Sequence, residues 1–234
     1  MMESPFANPL AFMLGPVPIT TTVLTTWALM AAMTLAAAWA ARRLTIDRPG
    51  RVQVVLELLV ETLDSEIAGT VPGDPARFRV LIGTLLLFVF VANWSSLVPG
   101  VEPPTAHLET DAALAAVVFA AGVGWGIRTR GVRGWLTSFA RPSWVMIPLN
   151  LVEQVTRHVS LTIRLFGNVM SGVFVIGIVL SLAGLLVPIP LMALDLLTGA
   201  VQAYIFATLA LVFIGSAVTG DEGATPPPPQ QDAP

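Results

Sequence analysis

The sequence has no cysteine, no lysine and only two histidines, and 12% of its 234 residues are charged. The lack of cysteine excludes disulfide bonds, thiolate nucleophiles and thiolate metal ligands. His107 and His158 do not have the spacing of metal ligands. The sequence also has no glycine-rich phosphate loop, nucleophile elbow or HExxH motif. It therefore predicts no catalytic residue, no metal site and no cofactor.

Apolar residues dominate the composition. They make up 55% of the chain, and the mean hydropathy is +0.78. A soluble domain would carry about 25% charged residues, so this composition predicts an integral membrane protein. Apolar runs long enough to cross a bilayer of about 30 Å predict about five membrane helices, at residues 20–41, 78–98, 112–127, 143–187 and 191–218. We expect an all-α protein surrounded by membrane lipid, with no nucleic-acid partner.

The twelve basic residues are all arginine, and their distribution predicts the topology. Ten of them lie in or next to the two predicted loops at residues 42–79 and 128–141. Under the positive-inside rule both loops are cytoplasmic, which places the N-terminal segment 1–19 outside and the C-terminus in the cytoplasm. Residues 20–218 then form a single membrane domain. The proline-rich tail 219–234 is expected to be disordered.

The first of these loops contains a segment with helical periodicity at residues 50–67. Its apolar positions recur every three or four residues, which predicts an amphipathic helix on the cytoplasmic face. The acidic residues between them are expected to form a solvated face: Glu57, Glu61, Asp64 and Glu66. The sequence VPGDP at residues 71–75 is expected to end the helix.

The loop after the second membrane helix carries acidic residues but no arginine, which agrees with an external location. His107, Glu109 and Asp111 occupy alternate positions in it. These three titratable groups could line an aqueous mouth, or they could be ordinary solvated loop charges. Both interpretations are open from the sequence.

Residues 149–172 combine charged and amide side chains with a run that is otherwise apolar. An arginine near the middle of a membrane helix costs about 2.5–3.5 kcal/mol on insertion scales, so Arg164 is expected to have a function. The alternative is a structural role, with Arg164 paired to a carboxylate such as Glu153 or to backbone carbonyls. Helical spacing places the polar residues on one stripe: Asn150, Glu153, Arg157, Arg164, Asn168 and Ser171.

The other face of this segment is expected to contact lipid or other helices, with Val155, Val159 and Ile163 on it. Arg157 lies four residues after Glu153, which is the spacing of an ordinary helical ion pair. We therefore assign Asn150, Glu153 and Arg157 a structural role within the polar stripe.

The last two membrane segments are predicted to form a hairpin of long helices. Residues 143–187 are too many for one perpendicular span, so this helix must be tilted, bent or extended beyond the bilayer. A short turn with two prolines leads into the last helix, where Asp195 and Gln202 lie two turns apart on one face. Two antiparallel helices would thus each present a polar stripe inside the bilayer.

Four stretches together resemble one known family. The run LNLVEQVTRHVSLTIRLFGNVMSG resembles the signature of the a subunit of F-type ATP synthases, and VQAYIFATLALVFI is similar to that subunit's final helix. The stretches GRVQVVLELLVETL and TLLLFVFVANWSSLVPGVEPPTAHLETDAALA are similar to two earlier conserved stretches, in the same order. The resemblance covers nearly the whole chain except its two termini.

The resemblance implies a non-catalytic subunit that embraces a rotating ring of c subunits. It implies two offset aqueous half-channels for H⁺ or Na⁺, peripheral-stalk b subunits as further partners, and a bacterial inner membrane location. Arg164 matches the family arginine that faces the ring carboxylates, and Asn168 and Gln202 match residues near it. A fixed cation lowers the pKa of a passing carboxylate, so the ring acid would release its ion beside Arg164.

The sequence departs from the family pattern at two places. Many family members have a glutamate or histidine nine residues after the arginine, where this chain has Val173, and His158 stands where a proline is usual. We hypothesise that Asp195 carries the external ion relay, with Glu109 or Asp111 in place of the missing partner.

Two other classes of protein compete with the family interpretation. A self-contained secondary transporter would usually show internal repeats and a binding site at the bilayer midplane, and no repeat is evident. A scaffold that only packs other membrane subunits would use the buried arginine as structural glue. Co-purification with an oligomeric c ring would distinguish an ATP synthase subunit from these two classes.

Overall fold

The computed structural model describes residues 10–14, 17–45, 50–71, 73–98, 101–138, 144–184 and 186–219. Six α-helices account for most of these residues: α1 Thr21–Ala41, α2 Arg51–Thr70, α3 Ala76–Trp94, α4 Leu108–Ser138, α5 Met146–Ala183 and α6 Ile189–Thr219. All except α2 are long and apolar enough to cross a membrane. The predicted all-α membrane architecture with five spanning helices is therefore confirmed.

An additional element precedes the helices. Strands β1 (Leu10–Leu14) and β2 (Val17–Thr20) form an antiparallel hairpin that leads directly into α1. The all-α prediction did not include it, because the segment is short and contains prolines that usually disfavour strands. Residues 1–9 and the predicted disordered tail from residue 220 onward lie outside the described residues.

The predicted bounds of α4 were wrong. The sequence predicted a membrane helix at residues 112–127, whereas α4 begins at Leu108 and ends at Ser138. Its first turn takes in Glu109 and Asp111, and its C-terminal part takes in three arginines that were predicted to lie in a loop. Gly131, with φ of 71°, breaks the helical backbone inside α4, so the last residues of α4, which include Arg133, form a second helical piece after a kink.

The two C-terminal helices have the predicted hairpin arrangement. Helix α5 has 38 residues and would extend about 57 Å at 1.5 Å per residue, which is well beyond the thickness of the hydrocarbon core. Helix α6 has 31 residues and follows α5 after a five-residue connection at 184–188. A helix as long as α5 can stay in the bilayer only when it is strongly tilted or when it extends beyond it.

The core lies where α6 contacts α3, α4 and α5. Residues from α6 are fully or nearly fully buried at a helical spacing: Ala203, Phe206, Ala207, Ala210, Leu211 and Ile214. Small residues recur among them and let the neighbouring helices approach closely, as in other membrane bundles. Helix α1 contributes only Thr22 to the buried set and lies at the edge of the bundle.

Helix α2 packs against α3 through its apolar side and an ion pair. Leu63 and Ile67 are buried, and Leu63 contacts Gly83 of α3. Arg79 donates two hydrogen bonds to Asp64, at 2.6 and 2.5 Å. The expectation that Asp64 belongs to a solvated acidic face was therefore wrong, because its carboxylate ties α2 to α3. Helix α2 ends at Thr70, directly before the predicted VPGDP break.

Candidate functional site

Arg164 lies in the spanning part of α5, and its side chain is exposed on the surface of the chain. Among the described residues, no carboxylate forms an ion pair with it and no carbonyl accepts a hydrogen bond from it. Three other arginines have such partners. Arg79 pairs with Asp64, Arg157 pairs with Glu153, and Arg130 donates to the carbonyl of Val218 at 3.2 Å.

The predicted ion pair between Glu153 and Arg157 is therefore confirmed, and its two residues lie one helical turn apart on α5. The Arg157 guanidinium also lies 5.7 Å from the centre of the Phe213 ring on α6. These contacts give Arg157 a packing role. The structural alternative for Arg164, a bond to Glu153, does not hold, because Glu153 is bonded to Arg157.

The face of α5 that packs against the other helices is neither the predicted polar stripe nor the predicted apolar face. Its buried residues are Leu161, Thr162, Leu165 and Val169, which lie between the polar stripe and the apolar stripe. Val155, Val159 and Ile163, expected to contact lipid or other helices, are exposed and line an open groove of about 520 Å³ between α4 and α5. Packing on the intermediate face leaves the side chain of Arg164 pointing away from the core of this chain.

His158 lies in the same groove. Its ring meets Phe119 of α4 edge-on at 4.9 Å and lies 5.8 Å from Phe213 of α6. Its Nδ1 lies 2.8 Å from the carbonyl oxygen of Gln154, four residues earlier. The helix therefore continues through position 158 without a break, and α5 is a single element from Met146 to Ala183.

Asp195 of α6 contacts α5 at Gly172. A Cβ atom at Gly172 would lie 2.7 Å from Cγ of Asp195, and it would overlap one carboxylate oxygen. His158 of α5 and Phe213 of α6 form a second contact between the two helices, nearer the start of α5 and the end of α6. With antiparallel helices rising 1.5 Å per residue, these two contacts place Gln202 opposite about residues 165–169 of α5. Gln202 therefore lies at the depth of Asn168 and close to that of Arg164.

Five buried polar atoms have no hydrogen-bond partner among the described residues. They are Nδ2 of Asn168, Nε2 of Gln202, Nε2 of His158 and both carboxylate oxygens of Asp111. Asp111 is completely buried, so the interpretation of it as a solvated loop charge was wrong. His107 is also buried, whereas Glu109 is exposed. Buried polar groups are normally satisfied, so these atoms mark places where water or an ion would bind favourably.

Asp195 also lines a cavity of about 160 Å³ between α5, α6 and the loop that follows α3. Most of its lining is apolar, Val173 included, but Glu102 and Ser96 also line it. Glu109 and Asp111, which we expected to act with Asp195, are not among the described residues that line it. Their role as its partners stays a prediction.

Asn93 holds the loop in place above this cavity. Its side-chain amide donates to the carbonyl of Gly199 at 2.9 Å, and its Oδ1 accepts a hydrogen bond from the Thr105 hydroxyl at 2.8 Å. Trp94 adds a hydrogen bond from its ring nitrogen to the carbonyl of Leu196 at 3.1 Å. The loop and α3 are thus fixed to the part of α6 that carries Asp195.

Residues 23–215 match the family described as ATP synthase A chain. The chain is 52% identical over 218 residues to "ATP synthase subunit a 2" of Bradyrhizobium sp. strain BTAi1, which covers 93% of this chain and 97% of that protein. The chain belongs to the ATP synthase A chain family. It is also 42% identical to "ATP synthase subunit a 2" of Pelobacter propionicus, with 92% and 94% of the two chains covered.

A third relative has a similar degree of identity. "ATP synthase subunit a" of Albidiferax ferrireducens is 40% identical over 207 residues, which cover 88% of this chain and 90% of that protein. Membership confirms the resemblance and makes this chain a multi-pass subunit of the membrane sector of an ATP synthase, with roles in ATP synthesis and ion transport.

Sequence reasoning missed two residues that the structure places at Asp195. Gly172 contacts the Asp195 carboxylate and Glu102 lines the same cavity, but neither was predicted to belong to the site. The spacing from Gly172 to Arg164 is eight residues, so the two share a helical stripe, which was an available signal. The position of Glu102 depends on the fold of the loop, for which the sequence offered no such signal.

Proposed function

We propose that this chain is the ion-translocating stator subunit of its ATP synthase and that Arg164 couples ion flow to rotation of a c ring. The single observation that carries the proposal is the exposed guanidinium of Arg164, which has no partner among the described residues of its own chain. A permanent cation within a membrane is stable only beside water or an opposite charge. An acidic group on a second protein would supply that charge.

The surroundings of Arg164 support this role. Asn168 lies one turn further along α5, and Gln202 lies at a similar depth on α6, each with an amide nitrogen that has no partner within the described segments. These donors can hold water next to the arginine. Asp195 lies about two turns from Gln202 toward the start of α6, where it lines the cavity. The arrangement supplies a polar path that leads toward the depth of the arginine.

The proposed mechanism follows from these groups. A ring carboxylate that travels through lipid must be neutral, because an isolated charge there is costly. When it reaches Arg164, the fixed positive charge favours its ionised form, so it releases its ion to one half-channel. After passing, it is neutralised again from the other half-channel, on the side of Asp195. Arg164 prevents direct passage of the ion between the two channels and so forces the ring to turn.

The proposal includes the topology and the partners. The c ring would lie against the exposed side of α5 and α6, and peripheral-stalk b subunits would hold the chain static. The arginine-rich regions around α2 and at the end of α4 would face the cytoplasm of a bacterium, with the amphipathic α2 lying at that face of the inner membrane. The N-terminus would lie outside, and the chain itself would catalyse no reaction.

The test compares two arginines of the same helix in the assembled ATP synthase. Arg164→Ala is expected to abolish ATP synthesis driven by an ion gradient in reconstituted vesicles, because no cation remains to discharge the ring acids. Arg157→Ala is the matched control and is expected to retain most of the rate, since its pair with Glu153 is partly exposed. Wild-type coupling in the Arg164→Ala complex would refute the proposal.

A further inference from the structure

The cavity beside Asp195 is lined by a second carboxylate that the mechanism above does not use. Asp195 is half-buried at the cavity, whereas the side chain of Glu102 is 71% exposed. Both line the same space of about 160 Å³, which is large enough for several water molecules. The cavity is therefore lined by the solvent-exposed carboxylate of Glu102 and by the half-buried carboxylate of Asp195 in the membrane-spanning bundle.

The position of Glu102 is set by the fold. His107 is only 8% exposed, and its Nε2 lies 3.4 Å from Oε2 of Glu102. The residues that follow Glu102 are buried, and Thr105 among them is fixed to Asn93 by a hydrogen bond. Glu102 is therefore held at the cavity by a packed loop, in contrast to a charge on a free loop tip.

Helix α5 contributes no acid to this cavity. Its lining residues are apolar or glycine: Val173, Ile176 and Gly177. Among the described residues that line the space, Glu102 and Asp195 are the two carboxylates, and Glu109 and Asp111 are absent from the lining. Glu102 is the more exposed of the two and therefore the one in better contact with solvent.

We propose that Glu102 is the outer ion-relay residue of this subunit and takes the place of the acid that α5 lacks at Val173. The inference rests on the proposed function, because it assumes that Asp195 receives ions from the cavity. The ion is a monovalent cation, either H⁺ or Na⁺. A proton would bind to the carboxylate of Glu102 from bulk water and then pass through cavity water to Asp195, and each transfer breaks one O–H bond and forms another.

The decisive assay measures ATP synthesis in vesicles that contain the complete ATP synthase, with the ion concentration varied on one side only. Glu102→Gln is expected to raise the concentration that gives half-maximal rate about tenfold on the side where residues 101–107 lie, an effect of about 1.4 kcal/mol. The dependence on the opposite side is expected to be unchanged, which a general structural defect would not produce. Two series of measurements identify the ion: one varies the Na⁺ concentration at fixed pH, and the other varies the pH in the absence of Na⁺.

Two variants calibrate this assay. Glu102→Asp keeps the carboxylate and is expected to shift the half-maximal concentration much less than Glu102→Gln. Glu61→Gln removes an exposed carboxylate of α2, far from the cavity in the chain, and is expected to behave like wild type.

A relocated carboxylate tests the geometry directly. Val173 lines the same cavity as Glu102, so Val173→Glu combined with Glu102→Gln is expected to restore the ion dependence toward wild type. The absence of native cysteine allows a second form of the test. In Glu102→Cys, iodoacetate adds a carboxylate and is expected to restore the rate, whereas iodoacetamide adds a neutral amide and is expected to leave it low.

The outcomes separate the inference from the function on which it rests. If Asp195→Asn lowers the rate while Glu102→Gln matches wild type, the role of Glu102 is overturned and the proposed function stands. A shift in Glu109→Gln together with a normal Glu102→Gln would likewise overturn it. If Asp195→Asn also matches wild type, the cavity carries no ions and the proposed function loses its polar path. Restoration by iodoacetate but not by iodoacetamide supports the assignment.

Discussion

The carboxylate of Asp195 occupies the space that a side chain at position 172 would need, so α5 and α6 can approach here only because residue 172 is glycine. The contact joins the helix of Arg164 to the helix of Gln202 and fixes their register. It also holds Asp195 against α5 where both helices line the cavity. The lack of a side chain at Gly172 thus determines the position of the Asp195 carboxylate.

Replacement of Gly172 by alanine is expected to displace Asp195. The added methyl group would overlap the carboxylate, and overpacking of this kind costs about 1–3 kcal/mol. We expect a lower melting temperature of the purified complex and a loss of ion-driven ATP synthesis. Gly124→Ala is the control, because nothing lies within 4 Å of the added atom, and it is expected to leave both unchanged. Equal behaviour of the two variants would contradict the contact.

Replacement of Gln202 by leucine is expected to separate stability from activity. The amide nitrogen of Gln202 is buried and has no partner within the described residues, so its replacement breaks no hydrogen bond to them. Leucine has a similar size, so the melting temperature should stay the same or rise. ATP synthesis should fall by at least about tenfold, because the polar path loses a donor.

Ser216→Ala is the matched control on the same helix, since its hydroxyl is exposed and bonds only to its own helix. It is expected to change neither quantity. A lower melting temperature in Gln202→Leu would show that Gln202 mainly stabilises the fold, against its assignment to the ion path.

Replacement of Asn93 by alanine is expected to loosen the loop above the cavity. The change leaves the carbonyl of Gly199 and the hydroxyl of Thr105 without their partner, at a cost of about 1–3 kcal/mol. The melting temperature should fall, and hydrogen exchange at residues 101–107 should accelerate. Thr84→Ala on the same helix removes a hydroxyl that bonds within α3 and is expected to have little effect. Unchanged exchange in Asn93→Ala would contradict the anchoring role.

The ion pair between Arg79 and Asp64 is expected to contribute modestly to the packing of α2. Both side chains are partly exposed, at 39% and 29%, so solvent weakens the interaction despite its two hydrogen bonds. A double-mutant cycle with Arg79→Ala and Asp64→Ala should give a coupling energy of about 0.5–1 kcal/mol in thermal unfolding. A coupling near zero would show that apolar contacts such as that of Leu63 alone hold α2 on α3.

The sequence was sufficient for the helices and for the arginine, because both depend on local pattern. Runs of apolar residues located α1, α3 and the C-terminal hairpin to within a few residues, and the cost of a charge in lipid singled out Arg164. The pair of Glu153 and Arg157 followed from its four-residue spacing. Such features need no knowledge of the neighbouring helices.

The parts that failed depend on contacts between distant segments. The start of α4 at Leu108 buries Asp111, and no periodicity in a loop rich in polar residues indicated this. The packing face of α5 was not predicted, because the residues that pack against the bundle, such as Leu165, lie between the polar stripe and the apolar stripe. Glu102 reaches the cavity because Thr105 is bonded to Asn93, twelve residues away.

The measurement that tests the central claim most directly is photo-cross-linking beside Arg164 in the intact ATP synthase. Gly167 lies one turn from Arg164 on the exposed side of α5, and nothing lies within 4 Å of a side chain added there. A photoreactive amino acid at position 167 is expected to form an adduct with the subunit of an oligomeric ring, whereas the same group at the exposed Leu35 of α1 should not. Adducts at position 167 only with lipid, or only within this chain, would contradict the claim that Arg164 faces the ring.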